Sequence, residues 1–278
     1  MGAVLRLRNA SVVITGASSG IGEATALAFA RRHARLAICA RRLDRLQDVA
    51  ERCRQAGAAA VILRRADVGR RADARAFVAG ALRDYDRIDV LVNNAGLGWQ
   101  GRLHEMPDRE VQTLVDTNLM GVVWTTQAAL PSMLAARSGV IINVASVVGF
   151  RANPYSAVYS ASKHAVVGLS HALRGELSGS GVKVSVVYPA TTDTEFFNRT
   201  AGRIGPAYSA SWVANLIVRT ARWPRRDAMV APVRAAHLAE PVFGGLLDHV
   251  LGEVRRRNRP ELEGPGELPP EAAPLGED

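Results

Sequence analysis

Short apolar runs alternate with helical patterns along most of the chain. Runs rich in β-branched residues are predicted as buried strands at 11–15, 36–40, 60–63, 88–92, 140–144 and 182–187. Between them, the spacing of apolar residues predicts helices at 23–32, 43–56, 71–84, 108–136 and 159–177. Strands that alternate with helices form β-α-β units, so the sequence predicts an α/β fold with a doubly wound parallel sheet and helices on both faces.

The pattern changes after residue 189. The next segment is polar and then aromatic, and residues 202–205 are predicted as a loop. A helical pattern returns at 210–222, and a short seventh strand is predicted at 228–231. The segment 190–222 therefore contributes a loop and a helix outside the regular alternation.

The length and the C-terminal composition predict one domain and a tail. Residues 1–258 are expected to form a single domain, ending in a mostly helical segment at 233–258. Acidic residues, proline and glycine replace apolar side chains from 259 to 278. Because such a segment buries little apolar surface, this tail is predicted to be disordered.

A glycine-rich turn joins the first strand to the first helix. From Gly16 to Gly22 it has the spacing G-x-x-x-G-x-G, which departs from the G-x-G-x-x-G of many dinucleotide sites. Glycines let the backbone approach a pyrophosphate, and the helix N-terminus offers free N–H groups and a positive dipole end. The turn is therefore predicted to bind the phosphates of a dinucleotide.

The end of the second strand indicates which dinucleotide is bound. In a doubly wound fold an acid at this point bonds the 2′-hydroxyl of NAD, whereas an arginine accommodates the 2′-phosphate of NADP. Ala40 supplies no carboxylate and Arg41 supplies a cation, so NADP(H) is the predicted cofactor. Ser18 and Arg42 are candidate additional contacts to the phosphate. The alternative for Arg41 is a solvated charge at the start of a helix.

Tyr159 and Lys163 lie four residues apart on a predicted helix and therefore share one face. An ammonium close to a phenol favours the phenolate and lowers the pKa of the tyrosine from its usual ~10. A tyrosine with a lowered pKa can serve as a general acid or base. Taken alone, the pair is weak evidence and an ordinary surface helix is the favoured interpretation, so the assignment depends on the rest of the chain.

Composition and charge narrow the class of protein. The formal net charge of +9 comes almost entirely from arginine, in scattered pairs without interleaved aromatic residues, which argues against a nucleic-acid partner. No apolar run is long enough to span a bilayer, and no secretory signal is predicted. Cys39 and Cys53 lack metal-ligand spacing and are interpreted as reduced packing residues, so no metal site and a cytoplasmic location are expected.

These motifs, in this order, resemble the short-chain dehydrogenase/reductase family in its compact single-domain form. The resemblance covers about residues 9–231. Its motifs are the glycine-rich turn 15–22, the fourth-strand motif 93–96, and the residues Asn118, Ser146, Tyr159 and Lys163. It implies a Rossmann fold, hydride transfer between nicotinamide C4 and a carbonyl or alcohol carbon, and a homodimer or homotetramer. The chain departs from the family pattern at Ala190, where a glycine usually follows the proline.

The resemblance also implies roles for individual residues. Tyr159 would exchange a proton with the substrate oxygen, and Ser146 would hydrogen-bond the same oxygen. Lys163 would bond the nicotinamide ribose and lower the pKa of Tyr159, while Asn118 would hold a water that links Lys163 to solvent. The implied cofactor-binding residues are Gly16, Ser18, Ser19, Gly20, Ile21, Gly22, Arg41, Asp67, Val68, Asn94, Ala95, Gly96, Tyr159, Lys163, Pro189, Thr192 and Thr194.

Several of these residues also have a purely structural interpretation. Ser146 at the end of a strand would satisfy backbone groups, and Asn118 would be an exposed polar residue of a helix. Asp67 would form a helix N-cap or an Asx-turn, and Thr192 and Thr194 would be turn residues. These alternatives require the structure to decide between them.

The substrate region and the function class also leave alternatives. Segment 190–222 is expected to supply a substrate loop and helix. Apolar substrate contact and core packing are alternatives for Trp99, Phe150, Phe196 and Phe197. The leading hypothesis is an NADP(H)-dependent alcohol dehydrogenase or carbonyl reductase. The alternative is a catalytically idle NADP-binding sensor that binds a partner through its arginine-rich C-terminal helix.

Overall fold

The computed structural model describes residues 4–195 and 207–229, together with Glu253. Phe196, Phe197, the predicted loop 202–205 and the predicted tail 259–278 lie outside the described residues. The predicted helical segment 233–258 also lies outside them, apart from Glu253.

The strands of the main sheet are β1 Ser11–Thr15, β2 Arg35–Ala40, β3 Ala60–Arg65, β4 Val90–Asn93, β5 Gly139–Val144, β6 Val182–Val187 and β9 Asp227–Ala228. They run parallel in the order β3-β2-β1-β4-β5-β6-β9. A separate pair is formed by β7 Thr192–Asp193 and β8 Tyr208–Ser209. The seven-stranded parallel sheet confirms the predicted fold class, and the seventh strand begins one residue earlier than predicted.

Helices cover both faces of this sheet. Their bounds are α1 Gly20–Ala30, α2 Leu43–Gln55, α3 Arg71–Tyr85, α4 Asp108–Val115, α5 Gly121–Ala135, α6 Ala157–Glu176 and α7 Ala210–Arg222. Val12 and Ile14 of β1 pack with α1, α2 and α7, whereas Val13 faces the opposite core with α3 and α5. Because apolar side chains are buried on both faces, the central strands are continuous hydrophobic runs. In the described part of the chain no helix combines the length and apolarity needed to cross a membrane.

The strand order places a ligand site at one edge of the sheet. β1 lies between β2 and β4, so the chain turns in opposite directions on the two sides of β1. In open parallel sheets a crevice forms at this switch point, beside the carboxyl ends of the strands, and ligands bind there. Thr15 and Asn93 end β1 and β4 at this crevice.

The helix predicted at 108–136 is not α-helical throughout. A π-helical turn at Asp116–Met120 separates α4 from α5. Such a turn inserts a wider loop of backbone into a helix and is found frequently at functional sites. Asn118 lies in this turn.

Candidate active site

A cleft of about 610 Å³ opens at the carboxyl ends of the central strands. All of the predicted site residues line it except Gly22 and Asn118, which lie behind its wall. The cleft also exposes residues that the sequence did not single out as site residues, including Arg45, Gln100, Asn153, Ser156 and Glu195. The structure therefore brings the dispersed motifs into one site.

The glycine-rich turn is packed too closely to admit side chains at two positions. A Cβ atom on Gly16, whose φ is +67°, would lie 2.7 Å from the Cα of Ala95. A Cβ on Gly22 would lie 2.1 Å from the carbonyl oxygen of Gly16. These glycines therefore set the path of the turn against the end of β4, as a phosphate-binding turn requires.

Asn94 supports the turn from behind. Its Nδ2 donates to the carbonyl oxygens of Thr15 (3.0 Å) and Gly16 (3.1 Å). The backbone N–H groups of Asn94 and Ala95 both donate to the hydroxyl of Thr15, each at 3.0 Å. These hydrogen bonds hold the cradle in shape, and its glycine backbone at the α1 N-terminus fits a pyrophosphate.

The part of the cleft beside the end of β2 is rich in basic groups. Arg41 lines it directly after β2, and its guanidinium makes no hydrogen bond or ion pair with the described residues. Arg42 donates to the hydroxyls of Ser19 (2.8 Å) and Ser18 (3.4 Å). The preceding residue, Ala40, is buried and brings no carboxylate. These donors fit the 2′-phosphate of an NADP-type dinucleotide.

Ser146, Tyr159 and Lys163 converge where β5 ends and α6 begins. The Ser146 hydroxyl accepts a hydrogen bond from the N–H of Val148 (3.3 Å) and also hydrogen-bonds Tyr159. The Lys163 side chain is buried, and its Nζ donates to the carbonyl oxygen of Val144 at 3.0 Å. Nζ also lies 5.9 Å from the centre of the Tyr159 ring. Ser146 therefore satisfies a backbone N–H group and also contacts Tyr159, whereas its hydrogen bond to a substrate oxygen stays a prediction.

The pKa of Tyr159 differs from the prediction. Burial raises it to about 12, and the hydrogen bond with Ser146 acts in the opposite direction. The predicted lowering by Lys163 is therefore wrong for the protein by itself, because the cost of burying a phenolate dominates. Burial also lowers the pKa of Lys163 to about 8. At neutral pH the phenol is protonated and the amine is mainly cationic.

Asn118 is fully buried, which excludes the alternative of an exposed polar residue. Its Nδ2 donates to the carbonyl oxygen of Leu97 (2.9 Å) and to the hydroxyl of Ser162 (3.0 Å), and its Oδ1 accepts from the N–H of Leu97 (2.7 Å). A Cβ on Gly96 would lie 3.3 Å from this Oδ1 and 3.4 Å from the Nζ of Lys163. Asn118 therefore fixes the segment after β4 beside Lys163; the water-mediated role stays a prediction.

Three polar residues combine turn contacts with positions on the cleft wall. Asp67 accepts from the N–H of Gly69 at 2.9 Å, as in an Asx-turn. The hydroxyl of Thr192 donates to the carbonyl oxygen of Ala190 at 2.8 Å, and that of Thr194 to Thr192 at 3.4 Å. The turn interpretations therefore describe their contacts. All three still line the cleft, so their cofactor roles remain predictions.

The two described aromatic candidates differ in position. Trp99 lines the cleft. Phe150 instead packs edge-on against Tyr188, with ring centres 5.9 Å apart, in a small hydrophobic cluster. The structure therefore supports the core interpretation for Phe150 and keeps Trp99 as a candidate for substrate contact.

Sequence reasoning missed two groups of site residues. Ser162 was unmarked although it lies between Tyr159 and Lys163, and its hydroxyl bonds Asn118. Glu195 and Arg45 form an ion pair across the cleft. Arg45 follows Arg41 by about one helical turn, which was a usable signal, but no local pattern marks Glu195 as a partner of a helix so distant in sequence.

Lys163→Met is expected to stabilise the protein at neutral pH while removing its activity. Burial lowers the Lys163 pKa to about 8 from 10.5, so below pH 8 the folded protein bears the full cost of the buried charge. Stability should rise with pH between about 8 and 10.5, because only the unfolded chain still binds that proton. The variant also loses the hydrogen bond from Lys163 to the carbonyl oxygen of Val144, which offsets part of this effect. The expected net gain in the free energy of unfolding at pH 7 is on the order of 2 kcal/mol.

Thermal unfolding at pH 7 and pH 10 measures this effect. The stability difference between wild type and Lys163→Met should shrink at the higher pH. Lys183→Met is the matched control, because Lys183 is exposed on β6 and should show no such pH-dependent difference. Equal stability of wild type and Lys163→Met at both pH values would show that the buried charge is not costly.

Comparisons with known proteins agree with this site. A family model described as short chain dehydrogenase matches residues 10–203. An uncharacterised oxidoreductase of Listeria innocua is 37% identical over 193 residues, which cover 69% of this chain and 77% of that protein.

Two solved structures are similar along most of the chain. A short-chain dehydrogenase from Sphingobium yanoikuyae in complex with NADPH has a TM-score of 0.76 and 32% identity, and the match covers 86% of this chain and 96% of that one. An alcohol dehydrogenase from the archaeon Thermococcus sibiricus, complexed with 5-hydroxy-NADP, has a TM-score of 0.72 and 31% identity over 79% of this chain and 94% of that one. With its parallel sheet, glycine-rich turn and Ser-Tyr-Lys site, this chain belongs to the short-chain dehydrogenase family of oxidoreductases.

Proposed function

We propose that this protein transfers a hydride between NADP(H) and a carbonyl or secondary alcohol group of a small molecule. The observation that carries the proposal is the meeting of Ser146, Tyr159 and Lys163 on one cleft wall, with the glycine-rich turn on another. Proton exchange at a substrate oxygen requires a hydroxyl, a phenol and an ammonium, which Ser146, Tyr159 and Lys163 supply. The alcohol dehydrogenase and the NADP(H) complexes among the similar structures support the same chemistry.

The proton-transfer step follows from the protonation states of the protein. When bound, nicotinamide supplies the hydride for reduction or accepts it in oxidation. Because burial raises the pKa of Tyr159, its phenol is protonated at neutral pH and can donate to the oxygen of a carbonyl substrate. Ser146, already hydrogen-bonded to Tyr159, would hold the same oxygen within reach of the phenol.

Lys163 stabilises the phenolate that this step leaves behind. Its Nζ lies 5.9 Å from the centre of the Tyr159 ring, in a buried environment where a charge acts strongly. An ammonium has three donors, and the carbonyl oxygen of Val144 takes one of them. The remaining donors are available for the cofactor ribose and for proton return, the latter beside Asn118.

The substrate end of the cleft mixes apolar and polar walls. Trp99, Val147 and Val148 supply apolar surface, whereas Asn153 and Ser156 supply polar groups. A small carbonyl or alcohol compound with an apolar part fits such a surface. NADPH oxidation should therefore be measured with a panel of ketones and aldehydes, and NADP⁺ reduction with the matching alcohols.

The outcome of this assay separates the candidate functions. Turnover of any carbonyl or alcohol with NADP(H) supports the proposal. NADPH binding without turnover across the panel would favour the idle NADP-binding sensor. Failure to bind either NADPH or NADH would overturn both.

Arg41→Ala is expected to weaken NADPH binding far more than NADH binding. A guanidinium can donate two charge-assisted hydrogen bonds to phosphate oxygens, and losing hydrogen bonding to a charged group costs ~1.5–3 kcal/mol. The expected loss of NADPH affinity is therefore roughly ten- to over a hundredfold.

The paired change Ala40→Asp and Arg41→Ile should invert the preference for NADPH over NADH. The new carboxylate would repel the 2′-phosphate of NADPH and accept a hydrogen bond from the ribose of NADH.

Equilibrium titration with both dinucleotides tests this prediction. Arg54→Ala is a matched control, since Arg54 lies on α2 but contacts Glu51 and the carbonyl oxygen of Val61 outside the cleft. It should bind NADPH like the wild type. A wild-type protein that binds NADH as tightly as NADPH would make Arg41 a solvated surface charge.

A further inference from the structure

A carboxylate lies among the basic groups at the adenosine end of the cleft. Glu195, two residues after β7, reaches across to α2 and forms ion pairs with Arg42 (3.1 Å) and Arg45. Arg42 also donates to the hydroxyls of Ser19 (2.8 Å) and Ser18 (3.4 Å). One acid is therefore held by two guanidiniums, one of which also contacts two serine hydroxyls.

This arrangement of donors is one that a phosphate group prefers. Guanidinium forks bind phosphate and carboxylate with the same geometry, and a phosphate offers three strong acceptor oxygens and up to two negative charges. Arg42, Arg45 and Glu195 line the same cleft as Arg41, where the 2′-phosphate of NADP(H) is proposed to bind. The carboxylate of Glu195 therefore takes up donors that lie within reach of a bound 2′-phosphate.

Glu195 stays ionised in this arrangement. Hydrogen bonds from Arg45 and Arg42 hold the pKa of its carboxyl below the usual range. A carboxylate and a phosphate of the same sign disfavour one another at short distance. The carboxylate of Glu195 and a bound 2′-phosphate are therefore not expected to bind Arg42 and Arg45 at the same time.

We propose that Glu195 is a specificity-determining residue that competes with the 2′-phosphate of NADP(H) for Arg42 and Arg45. It lowers the affinity for NADP(H) and leaves the affinity for NAD(H), which has no such phosphate, unchanged. Arg41 is available to the phosphate from the outset, whereas Arg42 and Arg45 become available when Glu195 is displaced. The inference rests on the proposed NADP(H) function and identifies Arg45 as an additional phosphate ligand.

The expected size of the effect of Glu195 on NADPH affinity follows from the solvent exposure of its ion pairs with Arg42 and Arg45. The side chains of Arg42, Arg45 and Glu195 are 44–45% exposed, so each pair contributes modestly. Breaking exposed pairs of this kind corresponds to a gain of about two- to tenfold in NADPH affinity. The gain should shrink at high salt, because ions screen exposed charges.

The test is a titration of wild type and Glu195→Gln with NADPH, NADH and adenosine 2′-monophosphate at low salt. Glu195→Gln should bind NADPH and adenosine 2′-monophosphate about two- to tenfold more tightly, with NADH unchanged. Glu23→Gln is the matched control, because Glu23 of α1 pairs with Arg52 of α2, the helix that also carries Arg45, and Glu23 does not line the main cleft. It should leave the ratio of NADPH to NADH affinity as it is in the wild type.

A second variant tests the role of Arg45 directly. Added to Glu195→Gln, Arg45→Gln should reverse the gain for NADPH and leave NADH unchanged. The proposal is overturned if Glu195→Gln binds NADPH no better than the wild type, or if it loses affinity for both dinucleotides alike. A wild type without preference for NADPH contradicts the proposed function instead, so the two failures are distinguishable.

Discussion

Replacing Tyr159 with phenylalanine is expected to lower kcat by about 10²–10⁴ and to leave NADPH affinity nearly unchanged. The substitution removes the phenol that hydrogen-bonds Ser146 and keeps the ring beside Lys163. Neither neighbour is expected to replace it, because the Ser146 hydroxyl is a much weaker acid than a phenol and Lys163 is proposed to bind the cofactor ribose instead of the substrate oxygen. Steady-state kinetics with the best carbonyl substrate, together with NADPH titration, measures both quantities.

Tyr155→Phe is the matched control for this experiment. Tyr155 lies four residues earlier, outside the cleft lining, and its backbone carbonyl accepts a hydrogen bond from the N–H of Gly101 at 2.9 Å. Its hydroxyl has no place in the proposed step, so activity should stay close to that of the wild type. Wild-type turnover by Tyr159→Phe would exclude Tyr159 as the proton donor.

Gly22→Ala is expected to destabilise the fold and to weaken binding of both dinucleotides. The new Cβ would lie 2.1 Å from the carbonyl oxygen of Gly16 and 2.5 Å from the Nδ2 of Asn94, so the turn must move. That movement disturbs the bonds from Asn94 that hold the cradle. Overpacking of this kind costs about 1–3 kcal/mol, which corresponds to a fall in Tm of roughly 2–12 °C.

Thermal unfolding and titration with NADPH and NADH measure this loss. Dinucleotide affinity should fall at least about tenfold, equally for the two, because the pyrophosphate cradle is common to both. Gly175→Ala, at an exposed position of α6 with open space around its Cβ, should instead stabilise the protein by about 0.5–1 kcal/mol. Native stability and unchanged affinity in Gly22→Ala would show that the turn can relax without affecting the site.

The predicted secondary structure was close to that observed wherever the signal is local. Strands β1 and β6 and helix α7 have the predicted bounds, because each is a distinct apolar or amphipathic run between polar breaks. The segment 108–136 is helical as predicted, but its centre is a π-helical turn that contains Asn118. Periodicity does not reveal such a turn, since the contacts of Asn118 with Leu97 and Ser162 come from other segments.

The sequence by itself determined the α/β fold, the glycine-rich turn and the Ser-Tyr-Lys trio, because these depend on short-range patterns and on the spacing of residue types. Only the tertiary structure decided the direction of the Tyr159 pKa, which burial raises although Lys163 is close by. It also decided that Glu195 holds Arg42 and Arg45, which lie about 150 positions earlier in the chain. Desolvation and contacts between distant segments exist only once the chain has folded, so no local pattern encodes them.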